Sequence, residues 1–217
     1  MLDWRDIDTV LLDMDGTLLD LHFDSHFWLE HLPRRYVELH HLDQATQDIL
    51  RDRIIREQGT LNWYSLAYWR QELGVDIVAL KREVQHLIGL RSDALDFLTW
   101  LKQQHPRVVL ATNADRESLA LKLPLTGLEQ YLDAIVSSAD VGVPKERQEF
   151  WFALQEIEPF DPQRTLFIDD NPAVLESARE FGIRHLLGIK QPDSQRPERE
   201  LEAFIVLDRF ATLLPSA

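Results

Sequence analysis

Four short stretches of this chain carry side chains that could do chemistry together. Asp13-Met14-Asp15-Gly16-Thr17 places two carboxylates two residues apart, and Asp169-Asp170 places two more side by side. Carboxylate oxygens are hard ligands that suit Mg²⁺ and leave room for waters and a substrate phosphate. Thr112-Asn113 and Lys145 add a hydroxyl and a cation suited to phosphate oxygens. Beside a metal, one carboxylate could attack phosphorus as a nucleophile. A second, two residues along, could act as acid and base. Taken alone, residues 13–17 also read as a strand running into an ordinary Asp-Gly turn.

The elements that must position these groups argue against the simple turn. Five apolar runs, 9–13, 107–111, 134–137, 164–168 and 183–188, read as buried parallel strands, and each of the last four follows a helix-like segment. Every polar group above lies at or just beyond the carboxyl end of a strand, the edge where open parallel sheets bind ligands. Adjacent carboxylates after a buried strand are costly unless a cation or hydrogen-bond donors compensate them. The expected fold is α/β, a Rossmann-like three-layer parallel sheet.

The helix after the fourth run is the best marked. Asn171 reads as its N-cap, Pro172 as its first residue and Gly182 as its stop. Ser92-Asp93 opens another helix, with Leu95, Leu98 and Leu101 on one face and the His105-Pro106 step at its end. A terminal helix is expected over 201–214. The stretch from Leu19 to about Leu90 lacks strand-like runs and is rich in helix-forming side chains, with Trp28, Trp63, Tyr64, Tyr68 and Trp69 among them. It reads as a helical cap, 20–89, inserted into a core made of 1–19 and 90–217.

The chain has 217 residues, 37 acidic and 23 basic, for a net charge of −14. That balance opposes nucleic-acid polymers and anionic membranes. It leaves room for a small phosphorylated substrate, because a bound cation reverses the charge of one pocket. Cysteine is absent, which excludes disulfides, thiolate metal sites and a thiol nucleophile. Asp3, Arg5, Asp6 and Asp8 interrupt any secretory signal, and no apolar run approaches the roughly 18 residues of a membrane span. A cytoplasmic protein is expected, a monomer or weak homodimer.

In combination, the four stretches resemble the motifs of the haloacid dehalogenase superfamily, mostly Mg²⁺-dependent phosphatases. The resemblance implies residue roles. Asp13 is the nucleophile and a metal ligand. Asp15 is the general acid and base, with its backbone carbonyl on Mg²⁺. Thr112 and the Asn113 amide hold phosphate, and Lys145 binds phosphate and orients Asp13. Asp170 ligates the metal directly and Asp169 does so through water. Dehalogenases of the superfamily lack a carboxylate at the position of Asp15, so its presence implies phosphoryl transfer. The long interval between Asp13 and Thr112 matches members with a cap inserted after the first motif.

Within the superfamily the chain resembles the bacterial purine 5′-nucleotidases that act on GMP and IMP. Residues 8–28, 60–69, 164–170 and 181–184, with Leu187-Gly188, carry that likeness. Trp63, Tyr64, Tyr68 and Trp69 could stack on a purine or form the cap's own core. His22 and His26 have metal-ligand spacing but lack a third ligand, so they read as surface histidines. The competing readings are a sugar-phosphate phosphatase or hexose-phosphate mutase and, further off, a non-catalytic binding protein on the same fold.

Overall fold

Val10, Leu11 and Leu12 have no polar residue alternating with them, so the strand they form must be covered on both faces. In the computed structural model, which describes residues 2–104 and 106–214, β1 (Thr9–Leu12) is buried along its whole length. It lies at the centre of a six-stranded sheet with β2 (Arg107–Thr112), β3 (Ala134–Ser137), β4 (Thr165–Asp169), β5 (His185–Ile189) and β6 (Ile205–Leu207). The order is β3-β2-β1-β4-β5-β6 and every pairing is parallel. In this strand order the crevice beside β1 is where crossover connections part to opposite sides.

Alternate side chains of each strand feed two different cores. Val10, Leu12, Leu110 and Ile168 pack with Phe97, Leu101, Leu119 and Phe210 on one face. Leu11, Val109 and Phe167 pack with Trp151, Leu154, Leu175 and Ala178 on the other. Helices α7 (Ala94–Gln104) and α8 (Arg116–Thr126) supply the first layer, and α10 (Gln148–Ile157) and α11 (Pro172–Phe181) the second. The three layers expected from the sequence follow from this two-sided burial. The His105-Pro106 step falls partly outside the described residues, and α7 ends just ahead of it.

Between β1 and α7 the regular elements are helices, joined by turns and short loops. Here α1 (His22–His26), α2 (Leu32–His40), α3 (Ala45–Arg56), α4 (Leu61–Tyr64), α5 (Leu66–Leu73) and α6 (Ile77–Glu83) enclose a third core around Phe27, Leu32, Ile54, Trp69 and Ile77. The two ends of this segment meet. The Asp20 amide donates to the Gly89 carbonyl and the Arg91 amide to the Leu18 carbonyl, both at 2.9 Å.

Two local readings need correction. The segment 201–214 is not a helix. It turns into β6 and then a short 3₁₀ turn over Phe210–Leu213. Ile205 and Val206 are β-branched, and backbone pairing to β5 satisfies groups that a helix end would leave open. β5 begins at His185 rather than 183, because the Ile183 amide closes α11 by donating to Ala178 O at 3.1 Å past a left-handed Gly182. Among the described residues, no helix is long and apolar enough to cross a membrane.

Candidate active site

The carboxyl ends of β1, β2 and β4 lie side by side, so the residues that follow them meet. The Asp13 amide still donates to Ile168 O at 3.0 Å, extending the β1–β4 ladder by one bond and fixing the first carboxylate at the sheet edge. Thr112 and Asp169 are the last residues of β2 and β4. Lys145 arrives from the other side, on the loop between α9 (Ser138–Val141) and α10. Its amide donates to Asn113 Oδ1 at 2.9 Å, and its carbonyl accepts from Trp151 Nε1 at 3.0 Å. All seven residues picked from the sequence, Asp13, Asp15, Thr112, Asn113, Lys145, Asp169 and Asp170, line one cavity of about 600 Å³, a size suited to a small ligand.

Lys145 is the electrostatic centre of the cluster. Its Nζ donates to Asp13 Oδ1 and to Asp169 Oδ2, each at 2.6 Å, and to Ala111 O at 3.0 Å. Burial penalises the ammonium, but the two carboxylates hold its pKa above the usual lysine value. One ammonium cannot balance the whole acid set. Burial first, then repulsion from Asp169 and Asp15, pushes Asp13 up to about 7 against the pull of Lys145. Burial and the charge of Asp13 push Asp170 up to about 7 as well, and burial with the charge of Asp170 puts Asp169 at about 6.

The deficit of positive charge has a place. Carboxylate oxygens of Asp13, Asp169 and Asp170 lie within 4.8 Å of one another, and Asp13 Oδ2 is buried without a hydrogen-bond partner. Three hard oxygen donors with an orphaned buried oxygen among them fit a divalent cation such as Mg²⁺. The two neighbouring acids differ in availability. Asp169 Oδ1 accepts from the Asn171 amide at 2.7 Å and Oδ2 from Lys145. Asp170 Oδ2 accepts only a longer bond, 3.2 Å, from Arg199, which also donates to the Asp170 carbonyl.

Gly16 makes this approach possible. Its φ of +89° is a conformation that side-chain-bearing residues avoid, and a Cβ there would lie 2.7 Å from Asp170 Cγ. The Asp-Gly turn read from the sequence is therefore real, and it is what lets the fourth motif close on the first.

At the end of β2, Thr112 Oγ1 accepts from the Ala114 amide at 3.0 Å. Asn113 spends its side chain on Lys145 and on Glu146 Oε2 at 3.0 Å. Glu146 was not singled out by sequence reading. It also accepts from Tyr64 Oη at 2.9 Å, tying the helical segment to the sheet edge. A second tie runs from the Leu66 amide to Asp115 Oδ2 at 2.6 Å, where Asp115 caps α8. Of the aromatic residues, Trp63, Tyr64 and Trp28 line the cavity, whereas Trp69 is fully buried in the third core. His22 and His26 are half-buried beside Asp193 and Glu30.

Sequence reading also missed Lys122, Asp24, Lys81 and Arg199, all of which line the cavity. Only Lys122 carried a signal: a lysine set in the apolar stretch Leu119-Ala120-Leu121-Lys122-Leu123 must be buried with a partner or break the face of its helix.

Fold, sheet edge and acid cluster define a class, and comparison with known proteins agrees. The family model for haloacid dehalogenase-like hydrolases matches residues 7–182, and the chain belongs to that family. Over 214 residues, covering 98% of this chain and 96% of the relative, it is 42% identical to the GMP/IMP nucleotidase YrfG of Escherichia coli K12. The same identity and coverage hold for GMP/IMP nucleotidase YrfG of Shigella flexneri. Among solved structures, a HAD phosphatase from Thermococcus onnurineus superposes with a TM-score of 0.76 at 19% identity, over 95% of this chain and 96% of that one.

Proposed function

We propose that this chain is a phosphomonoesterase that hydrolyses purine nucleoside 5′-monophosphates, GMP and IMP, to nucleoside and phosphate. The observation that carries the reaction is Asp13, a buried carboxylate held by Lys145 through one oxygen in a cavity that Thr112 and Asn113 also line. The relatives named for GMP and IMP support the substrate.

Asp13, Asp169 and Asp170, with the Asp15 backbone carbonyl, would hold Mg²⁺; Asp170 suits direct ligation and Asp169 ligation through water, because both Asp169 oxygens already accept hydrogen bonds. When bound, the ion neutralises the acids and the transferring phosphoryl group. Thr112, the Asn113 amide and Lys145 grip the phosphate. Lys145 orients Asp13 for in-line attack on phosphorus. Asp15 lines the cavity two residues away and protonates the departing 5′-oxygen. It then takes a proton from the water that cleaves the aspartyl-phosphate. Donors fixed around the phosphoryl group lower the barrier because they need no reorganisation.

The helical segment 20–89 acts as the cap. Tyr64 on Glu146 and Leu66 on Asp115 seat it over the site, which excludes water and polymeric substrates. Trp63, which lines the cavity and is only half-buried, would stack on the base. Such a protein works on soluble metabolites of the cytoplasm.

Phosphate release from a panel of monophosphates tests this reading. GMP and IMP should give kcat/KM at least about tenfold above AMP, pyrimidine nucleotides and hexose phosphates, the discrimination of roughly 1.4 kcal/mol that one base contact can supply. Equal or faster release from hexose phosphates would contradict it.

A further inference from the structure

Asp15 is held by a chain of charges that leaves the sheet domain. Its Oδ1 accepts from Lys122 Nζ of α8 at 2.7 Å, and the same ammonium donates to Asp24 Oδ2 of α1 at 2.5 Å. Asp24 Oδ1 accepts in turn from Lys81 Nζ of α6 at 3.0 Å. Both lysines are fully buried. Lys81 sits over the rings of Phe23 and Phe27 at 4.9 and 4.8 Å, and Lys122 over Phe23 at 5.2 Å. Four charges therefore alternate from the sheet edge into the core of the helical segment.

Stability alone gives little reason for this arrangement. Burying two ammoniums is costly, and apolar residues of similar size commonly replace buried ion pairs without loss. What the chain does supply is geometry. Lys122 grips one oxygen of Asp15 and so fixes the rotation of its carboxylate, leaving the other oxygen for the cavity. Lys122 is itself aimed by Asp24, and Asp24 by Lys81. Two of the four members belong to the helical segment, so the set is complete only when that segment is seated.

We propose that Lys122 is the positioning residue of Asp15, and that Asp24, steadied by Lys81, makes this positioning depend on the cap. The proposal rests on reading Asp15 as the acid and base. A substrate-binding role for Lys122 fits less well, because its ammonium is already shared between two carboxylates.

The test compares GMP with p-nitrophenyl phosphate, whose leaving group departs without a proton. Asp24→Asn should lower kcat for GMP by about tenfold or more, with KM changed by less than about twofold, since acid-base catalysis contributes to the transition state alone. On rapid mixing with p-nitrophenyl phosphate, the first equivalent of nitrophenolate should appear within about twofold of the wild-type rate. Later turnovers, which need the base, should slow by about tenfold. Lys122→Met should give the same pattern more strongly. If that variant does not fold, Lys81→Met, which keeps the Asp15–Lys122 pair, should give it more weakly. An unchanged kcat with a raised KM would overturn the proposal in favour of substrate binding. A first equivalent slowed as much as later turnovers would overturn it in favour of a loosened fold. Asp15→Asn measured alongside separates the two readings. Wild-type turnover of GMP there would remove the acid-base role itself. A slow Asp15→Asn beside an unimpaired Asp24→Asn would remove only the positioning role.

Discussion

Asp13 and Asp15 stand two residues apart and are paired with different lysines from different elements, Lys145 and Lys122. In the proposed mechanism that separation would let one carboxylate attack while the other moves a proton. Asp15→Asn is expected to lower turnover of GMP by about 10²–10⁴, the range for loss of a positioned acid and base, measured by steady-state phosphate release. Gly16→Ala is predicted to act on the metal instead. Its methyl group would displace Asp170, so the Mg²⁺ needed for half-maximal activity should rise by about 10–100-fold. An unchanged Mg²⁺ requirement would show that Asp170 does not ligate.

The same acids predict a pH dependence. Asp13, Asp169 and Asp170 rise from 3.8 to about 7, 6 and 7 without a cation, so the folded chain keeps protons that the unfolded chain has released. Their contribution to stability is full below about pH 4 and is lost as pH rises towards about 7. A cation displaces those protons and competes best once they are gone. The rise in Tm on adding Mg²⁺ should therefore be larger at about pH 8 than at about pH 5, by calorimetry. An equal rise at both would contradict the placement of the ion among these three acids.

At the scale of elements, the aromatic residues of the helical segment divide by position. Trp69 is enclosed between Trp28 and Tyr68 and donates from Nε1 to Trp63 O at 3.2 Å. Trp69→Ala should cost about 3–5 kcal/mol in denaturant unfolding, the usual loss for a buried aromatic. Trp63 lines the cavity instead. Trp63→Ala should raise KM for GMP by about 5–150-fold, matching about 1–3 kcal/mol of base stacking, and leave KM for ribose 5-phosphate unchanged. Parallel losses with both substrates would assign Trp63 to the frame of the cap.

Over the whole molecule, the sheet and the gathering of polar residues at its carboxyl edge were legible for a physical reason. Strands buried on both faces read as continuous apolar runs, and parallel sheets bring their chemistry to the residues just after those runs. Asp13, Thr112 and Asp169 stand there. What stayed hidden depends on long-range closure. Lys122 meets Asp15 and Asp24 across 107 and 98 positions of chain, and no local period announces such a pairing. β6 was hidden because three residues at a sheet edge take their conformation from the neighbouring strand, not from their own pattern. The net charge of −14 is likewise not spread evenly: six of the acids, Asp13, Asp15, Asp24, Glu146, Asp169 and Asp170, line one cavity.

The attack of Asp13 on phosphorus is the centre of the proposed mechanism, and chemical trapping tests it directly. Turnover of GMP with Mg²⁺ would be quenched and treated with borohydride, which reduces an acyl phosphate to an alcohol, and the peptides mapped by mass spectrometry. The predicted result is a reduced side chain at position 13, seen with GMP and IMP and lost in Asp13→Asn together with phosphate release. Phosphate released at the full rate with no reduced residue at position 13, or with the label on another carboxylate, would contradict it.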